Sequence, residues 1–373
     1  MPPPLLSRFA KLRVMSKGLA TVIAATLALP MAAVSCGTGG APVAAQLSNG
    51  QLAGERIVTA FDGTSVPGKL RGMIERGEVA GVVLFAANAP SAASVRETVA
   101  ELQSVPRPSP VDEPLLIMVD QEGGLVKRLD APPDASAEQM GARGAKYARR
   151  QGAATGRALA ELGINVNLAP VLDVRRSGGA IDSENRSFGT TAQRVIETAL
   201  PFAGAQRRAG VASTAKHFPG FGAAAVNTDD AATSIEIGAA ELRKSDMTPF
   251  ARFAERGGEL VMSGLAVYPA FSDRPAAFTR SLINGELRRR VGFDGVTVTD
   301  SLNAAAALDF GSPAKVAYSA AQAGNDLLLY TDLGAASAAR RVLERRLGSG
   351  RLDRDEAEAS VARVLALRDS LGG

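Results

Sequence analysis

One imidazole serves the whole 373-residue chain: His217, in Ala215-Lys216-His217-Phe218-Pro219-Gly220. A lone histidine is more often a satisfied structural residue than a working one, but the flanking residues give this one a place where chemistry is done. Residues 210–215 form an apolar run that reads as a short buried strand, and Phe-Pro-Gly is a turn signal, so Lys216 and His217 fall where a strand ends. Carboxylates recur at equivalent places. Asp120 opens Asp120-Gln121-Glu122-Gly123-Gly124, and Asp173 and Asp300 each lie just beyond an apolar run. Carboxylates supply nucleophiles and general acids or bases, while Lys and imidazole supply hydrogen-bond donors. Each alone has a plainer reading; Asp300-Ser301 before a helix would serve equally as an N-cap.

A repeating βα architecture would bring these residues together. Short apolar runs at 56–61, 81–85, 115–119, 165–169, 213–216, 260–265, 295–299 and 326–330 read as eight strands. Helical patterns at 147–162, 195–209, 240–256, 282–291 and 314–323 lie between them, and two more at 335–347 and 353–371 close the chain. Eight strands alternating with helices predict an α/β fold, a (β/α)8 barrel in a single domain, in which every strand-end residue above opens on the ligand-binding face. No sequence repeat longer than the βα period interrupts the pattern.

Composition adds a separate segment at the start. The net charge of +4 traces to Arg8, Lys11, Arg13 and Lys17, because the remaining basic residues balance the 38 acidic ones. A formally neutral body removes the main support for binding nucleic acid through phosphate neutralisation. The four cations precede an apolar stretch at 18–34, the layout of a secretory signal, and that stretch is short for a bilayer span and broken by Pro30. Ala33-Val34-Ser35-Cys36 resembles the bacterial lipobox, with Ala33 where Leu is usual. That resemblance implies that the Cys36 thiol receives a lipid and that the exported protein is anchored to the outer face of the cytoplasmic membrane. The expected layout is a signal at 1–35, a flexible tether at 36–50 rich in small residues, and the barrel at 51–373.

Five ordered motifs give the body a family likeness: Asp120-Gln121-Glu122-Gly123-Gly124 with Arg128, Asn167-Leu168-Ala169-Pro170-Val171-Leu172-Asp173-Val174, Arg186-Ser187-Phe188-Gly189, Lys216-His217-Phe218-Pro219-Gly220, and Val298-Thr299-Asp300-Ser301-Leu302. Together they resemble glycoside hydrolase family 3, in its single-domain β-N-acetylglucosaminidase branch, across nearly the whole body. The resemblance implies that Asp120, Arg128, Arg186, Lys216 and His217 hold an N-acetylglucosamine-type sugar, from peptidoglycan-derived or related glycans, and that Asp300 is the nucleophile. A retaining glycosidase needs such a carboxylate and a second group about 5 to 5.5 Å away to protonate the leaving oxygen.

One position departs from the family. In that branch the acid/base is a His held by an Asp two residues earlier, on the loop after Lys-His-Phe-Pro-Gly. Here the loop carries Asn227-Thr228-Asp229, and no second His exists. Asp229 and Asp230 are the replacement candidates, and each would need a raised pKa to donate a proton at neutral pH. The alternative is a sugar-binding lipoprotein that kept the pocket and lost efficient turnover.

Other chemistries lack their residues. Cys36 belongs to the export signal, so no thiol nucleophile remains, and one His without a body Cys makes a zinc site improbable. No phosphate-binding glycine loop or dinucleotide fingerprint follows any expected strand, so no cofactor is expected. With no Trp and four Tyr, a pocket for one sugar end is expected rather than a long aromatic groove.

Overall fold

The computed structural model describes residues 43–372. Its strands, in chain order, are β1 (Ile57–Thr59), β2 (Gly81–Leu84), β3 (Leu116–Val119), β4 (Gln121–Gly123), β5 (Val126–Lys127), β6 (Val166–Asn167), β7 (Ala212–Phe218), β8 (Leu260–Ser263), β9 (Val296–Thr299) and β10 (Leu328–Leu329). Eight form one parallel sheet in the order β10-β1-β2-β3-β6-β7-β8-β9, while β4 and β5 pair as a separate hairpin. Backbone bonds from Leu327 N to Thr297 O (2.8 Å) and from Thr299 N to Leu327 O (3.0 Å) join the two ends of the sheet. The expected (β/α)8 barrel is therefore present, with all eight strands where the apolar runs placed them.

Side-chain alternation builds the core. Val58, Val83, Leu116, Met118, Leu260, Met262, Val296, Val298, Leu327 and Leu329 pack together as one cluster. Their strand neighbours Val82, Leu84, Ile117, Val119 and Leu328 belong to a different cluster, shared with surrounding helices. Val364 and Leu367, from the C-terminal helix Arg354–Leu371, join the first cluster. At the N-terminal end of β10, the buried Asp326 ties this end of the barrel together. It accepts from Thr297 N (2.8 Å) and Oγ1 (3.0 Å), Ser360 Oγ (2.8 Å), Arg363 Nε (3.1 Å) and Nη2 (2.7 Å), and from Arg288.

Two expectations meet a different outcome, and one element was not expected. The helix expected at 240–256 is two helices, Ala239–Lys244 and Thr248–Glu255. Pro249 sits in the first turn of the second, where its missing N–H costs nothing, and Asp246 between them is turned inward to a two-pronged pair with Arg176 (2.6 and 2.8 Å). The hairpin β4–β5 was not anticipated. The described part of the expected tether is packed: Ala44 and Leu47 are buried in the core, and Ser48 caps the helix Asn49–Gly54 with a reciprocal bond to Gln51. Arg354 binds Leu47 O (2.8 Å) and Asn49 Oδ1 (2.8 Å), so the compact domain begins before residue 51. The expected signal and Cys36 lie outside the described residues. Among the described residues, no helix is long and apolar enough to cross a membrane.

Candidate active site

Residues from the C-terminal ends of β3, β6, β7 and β9 converge on one cavity of about 490 Å³. That size suits a small-molecule ligand. The β4–β5 hairpin shapes one wall. Gly123 (φ +96°) and Gly124 (φ +60°) make its turn, and a Cβ on them would lie 2.3 Å from Ala135 O and 2.8 Å from Ser136 Cβ respectively, so only glycine seats the hairpin this closely. Gln121, fully buried, accepts from Arg128 N and Leu129 N (3.1 Å each), which fixes the segment that carries Arg128 into the cavity wall.

Asp120 and Glu122, two residues apart in an extended segment, serve one charged cluster. Lys216 Nζ donates to Asp120 Oδ1 (2.6 Å) and pairs with Glu122 Oε1 (2.7 Å). Arg186 binds Glu122 through Nε and Nη2 (2.9 Å each) and Glu184 through Nη1 (2.9 Å). Burial pushes the Glu122 carboxyl up, but Arg186 and Lys216 hold it at about 2. Burial likewise opposes the Lys216 charge, yet Asp120 and Glu122 raise it above its ordinary value. Two of the three ammonium hydrogens are engaged, which leaves one for a ligand.

His217 is turned by Asp173. The Asp173 carboxylate accepts from His217 N (3.1 Å) and Phe221 N (2.7 Å) at Oδ1, and its Oδ2 lies 2.8 Å from His217 Nδ1. A carboxylate only accepts, so Nδ1 carries the proton and Nε2 is the ring nitrogen left for a ligand. Phe221 packs edge-on against the imidazole (5.6 Å).

Asp300 follows β9, with its backbone N bound to Ser263 O (2.9 Å). It caps no helix: the next one is Ala305–Phe310, and Ala304 is its N-cap. The same segment holds the loop after β7. Ala305 N donates to Asp229 O (3.3 Å) and Ala306 N to Thr228 O (3.1 Å), so the nucleophile candidate and the acid candidate sit on two strands of chain stapled together. Asp229 lines the cavity from an exposed position at its mouth. Partial desolvation of its carboxyl by the surrounding protein, and then the Asp300 charge, raise its pKa, against pulls from His217 and Arg186.

Seven sequence-derived residues thus line one cavity: Asp120, Arg128, Arg186, Lys216, His217, Asp229 and Asp300. Asp230 does not; it is the exposed next residue of the turn. Glu122 and Glu184 had no role in the sequence reading, and Asp173 had only a position. Alternation could have found Glu122, because a residue two places from Asp120 in a strand faces the same side.

The profile of the glycosyl hydrolase family 3 N-terminal domain matches residues 50–367. A secreted glycosyl hydrolase of Arthroderma benhamiae, named as uncharacterized, is 36% identical over 86% of this chain and 93% of its own length. A beta-hexosaminidase of Xanthomonas oryzae is 34% identical over 73% of this chain and 82% of its own. The solved family 3 beta-N-acetylglucosaminidase of a Paenibacillus superposes with a TM-score of 0.82 at 33% identity, over 87% of this chain and 63% of that one. The beta-N-acetylhexosaminidase of Beutenbergia cavernae gives 0.81 at 30% identity, over 87% and 99%.

Proposed function

The chain belongs to glycosyl hydrolase family 3, and from that membership we propose that it is a retaining β-N-acetylhexosaminidase of cell-wall glycans or glycoconjugates in which Asp229 replaces the usual acid/base histidine. The observation that carries this is the staple between the Asp229 loop and the Asp300 segment, with the Asp229 pKa raised in the direction a proton donor needs. In the first step the Asp300 carboxylate attacks the anomeric carbon while Asp229 gives its proton to the departing oxygen. In the second, the Asp229 carboxylate takes a proton from water, which attacks the same carbon and frees Asp300. Lys216, Asp120, Arg128, Arg186 and His217 hold the sugar hydroxyls, through bonds that strengthen as charge develops on the ring.

An activated aryl N-acetyl-β-glucosaminide tests the nucleophile, because its leaving group departs with little acid help. The protein should release the phenol and accumulate a covalent sugar adduct visible by mass, and Asp300→Asn should abolish both. With alkyl glycosides, Asp229→Asn should lower kcat/KM by about 10²- to 10⁴-fold, and by much less with the aryl substrate. A donor must be protonated, so wild-type activity should fall as pH rises through the raised Asp229 pKa, and Asp229→Asn should lose that limb. Sugar binding without product or adduct would instead leave the chain a sugar-binding protein.

Lipid anchoring at Cys36 belongs to the same proposal, on the strength of Ala33-Val34-Ser35-Cys36 after an export-type segment. Cys36→Ala should move the protein out of the membrane fraction. Unchanged mass and detergent partitioning would reject the anchor.

A further inference from the structure

A second cavity, of about 500 Å³, shares no lining residue with the catalytic one. Its walls come from the segment after β8, the helix Pro313–Ala323 and the start of the helix Arg354–Leu371. Three arginines line it, and they are engaged to different degrees. Arg280 is committed: it binds Gln322 O (3.0 Å) and both oxygens of Glu356, which also lines the cavity. Asp353, the other acid of the wall, caps the helix Arg354–Leu371 by accepting from Glu356 N (2.9 Å). Arg274 and Arg351, by contrast, donate from their guanidinium groups to no described residue. The Arg274 Nε is buried without a partner, and the guanidinium lies over the Phe310 ring (5.1 Å), which holds it without an oxygen to receive its hydrogens. Ser319, only 5% exposed, lines the same cavity, and its hydroxyl makes no hydrogen bond among the described residues.

An arginine carries five N–H donors and no acceptor, and a buried donor left unmade is unfavourable. Here the acceptors of the wall are already engaged, so a partner for Arg274 must come from outside the chain. Charge sets its sign. Arg280 cancels Glu356, and the two free cations Arg274 and Arg351 face one carboxylate, Asp353, so the wall stays net positive. Planar guanidinium forks match the oxygens of carboxylates and phosphates, and the volume admits a small molecule that carries such a group. We infer that this cavity is an oxyanion site, for the carboxylate or phosphate group of a small molecule, held by Arg274, Arg351 and the Ser319 hydroxyl.

Arginine Nε–H magnetic resonance signals of the isotope-labelled full chain test this, because a buried Nε–H exchanges slowly with water and reports on its own site. The Arg274 signal, identified by its loss in Arg274→Lys, should move and saturate on titration with inorganic phosphate or with acetate, and the ion that saturates it at the lower concentration names the class. Arg351→Gln should raise the midpoint about 10-fold, the loss expected for one charge-assisted hydrogen bond. Ser319→Ala should raise it by less. Lys216→Ala should leave it where it is, since Lys216 lines the other cavity. Unfolding temperatures near wild type would show that the variants fold. An Arg274 signal that neither anion moves overturns the inference, as does a midpoint that Arg351→Gln leaves unchanged or that Lys216→Ala shifts. A shift reproduced by sodium chloride at equal ionic strength also overturns it. None of these readouts involves turnover, so the result stands or falls apart from the roles of Asp229 and Asp300.

Discussion

Asp326 and Glu122 sit at opposite ends of the barrel, one before β10 and one after β3, and they share a chemistry. Burial pushes both carboxyls up, and flanking cations, Arg288 and Arg363 at one and Arg186 and Lys216 at the other, hold both at about 2. They differ in what is left over. Every contact of Asp326 closes on the protein, with both oxygens receiving from β9, the C-terminal helix or Arg288. Lys216 and Arg186, the partners of Glu122, line the cavity of about 490 Å³ that gathers the other charged residues, and Lys216 keeps a hydrogen to spare, whereas Ser360 and Arg363 at the Asp326 end line a smaller cavity of about 200 Å³. A strongly shifted pKa therefore does not by itself mark a site. The direction of the unspent donors does.

The largest effect should come from breaking the closed cluster. Asp326→Asn removes the one carboxylate that, among the described residues, bonds both Arg363 and Arg288, leaving the largely buried Arg288 and the half-buried Arg363 without their partner, and should cost about 3 kcal/mol in denaturant unfolding. Sugar affinity of the folded protein should not change. A loss of affinity with little loss of stability would erase the distinction between the two ends.

Glu122→Gln should behave in the opposite sense. Lys216 keeps Asp120 and Arg186 keeps Glu184, so stability should fall less than in Asp326→Asn. Sugar binding should weaken by about 1 to 3 kcal/mol, measured by calorimetry, because the donors lose the group that aims them.

The smallest effect should appear on mild acidification. Both carboxyls are depressed, from ordinary values of 4.5 for Glu122 and 3.8 for Asp326 to about 2. Their contributions are complete above those ordinary values and are lost only as pH falls toward 2. The stability gap between wild type and each variant should thus stay constant from pH 7 to pH 5 and narrow below about 4.5 for Glu122→Gln and below about 3.8 for Asp326→Asn. A gap that closes by pH 5 would mean the cations do not hold these groups down.

Much of this arrangement was legible in the chain. Strand positions were, because apolar runs bounded by turn residues state their own limits, and so were the strand-end residues that the barrel aims at one face. The break at Ser245-Asp246-Met247 was not: it depends on a pair with Arg176, seventy positions away. The packing of Ala44 and Leu47 depends on partners contributed by the end of the chain, among them Arg354. The position of Asp229 was open for the same reason. Its sequence neighbours read as a solvated turn, and the bonds from the Ala305 and Ala306 amides tie its loop to the segment that follows Asp300.

Those two amide bonds also bear on timing. In enzymes that bring a catalytic loop into place for each substrate molecule, closure takes microseconds to milliseconds and often limits turnover. Here the main chain of the loop and that of the segment bearing Asp300 are joined by backbone bonds that involve no ligand, so on the proposed reading the main chain that carries Asp229 is placed when the chain folds. If the proposed roles hold, bringing those two stretches of main chain together is no part of the catalytic cycle, and loop closure is not the step expected to limit turnover.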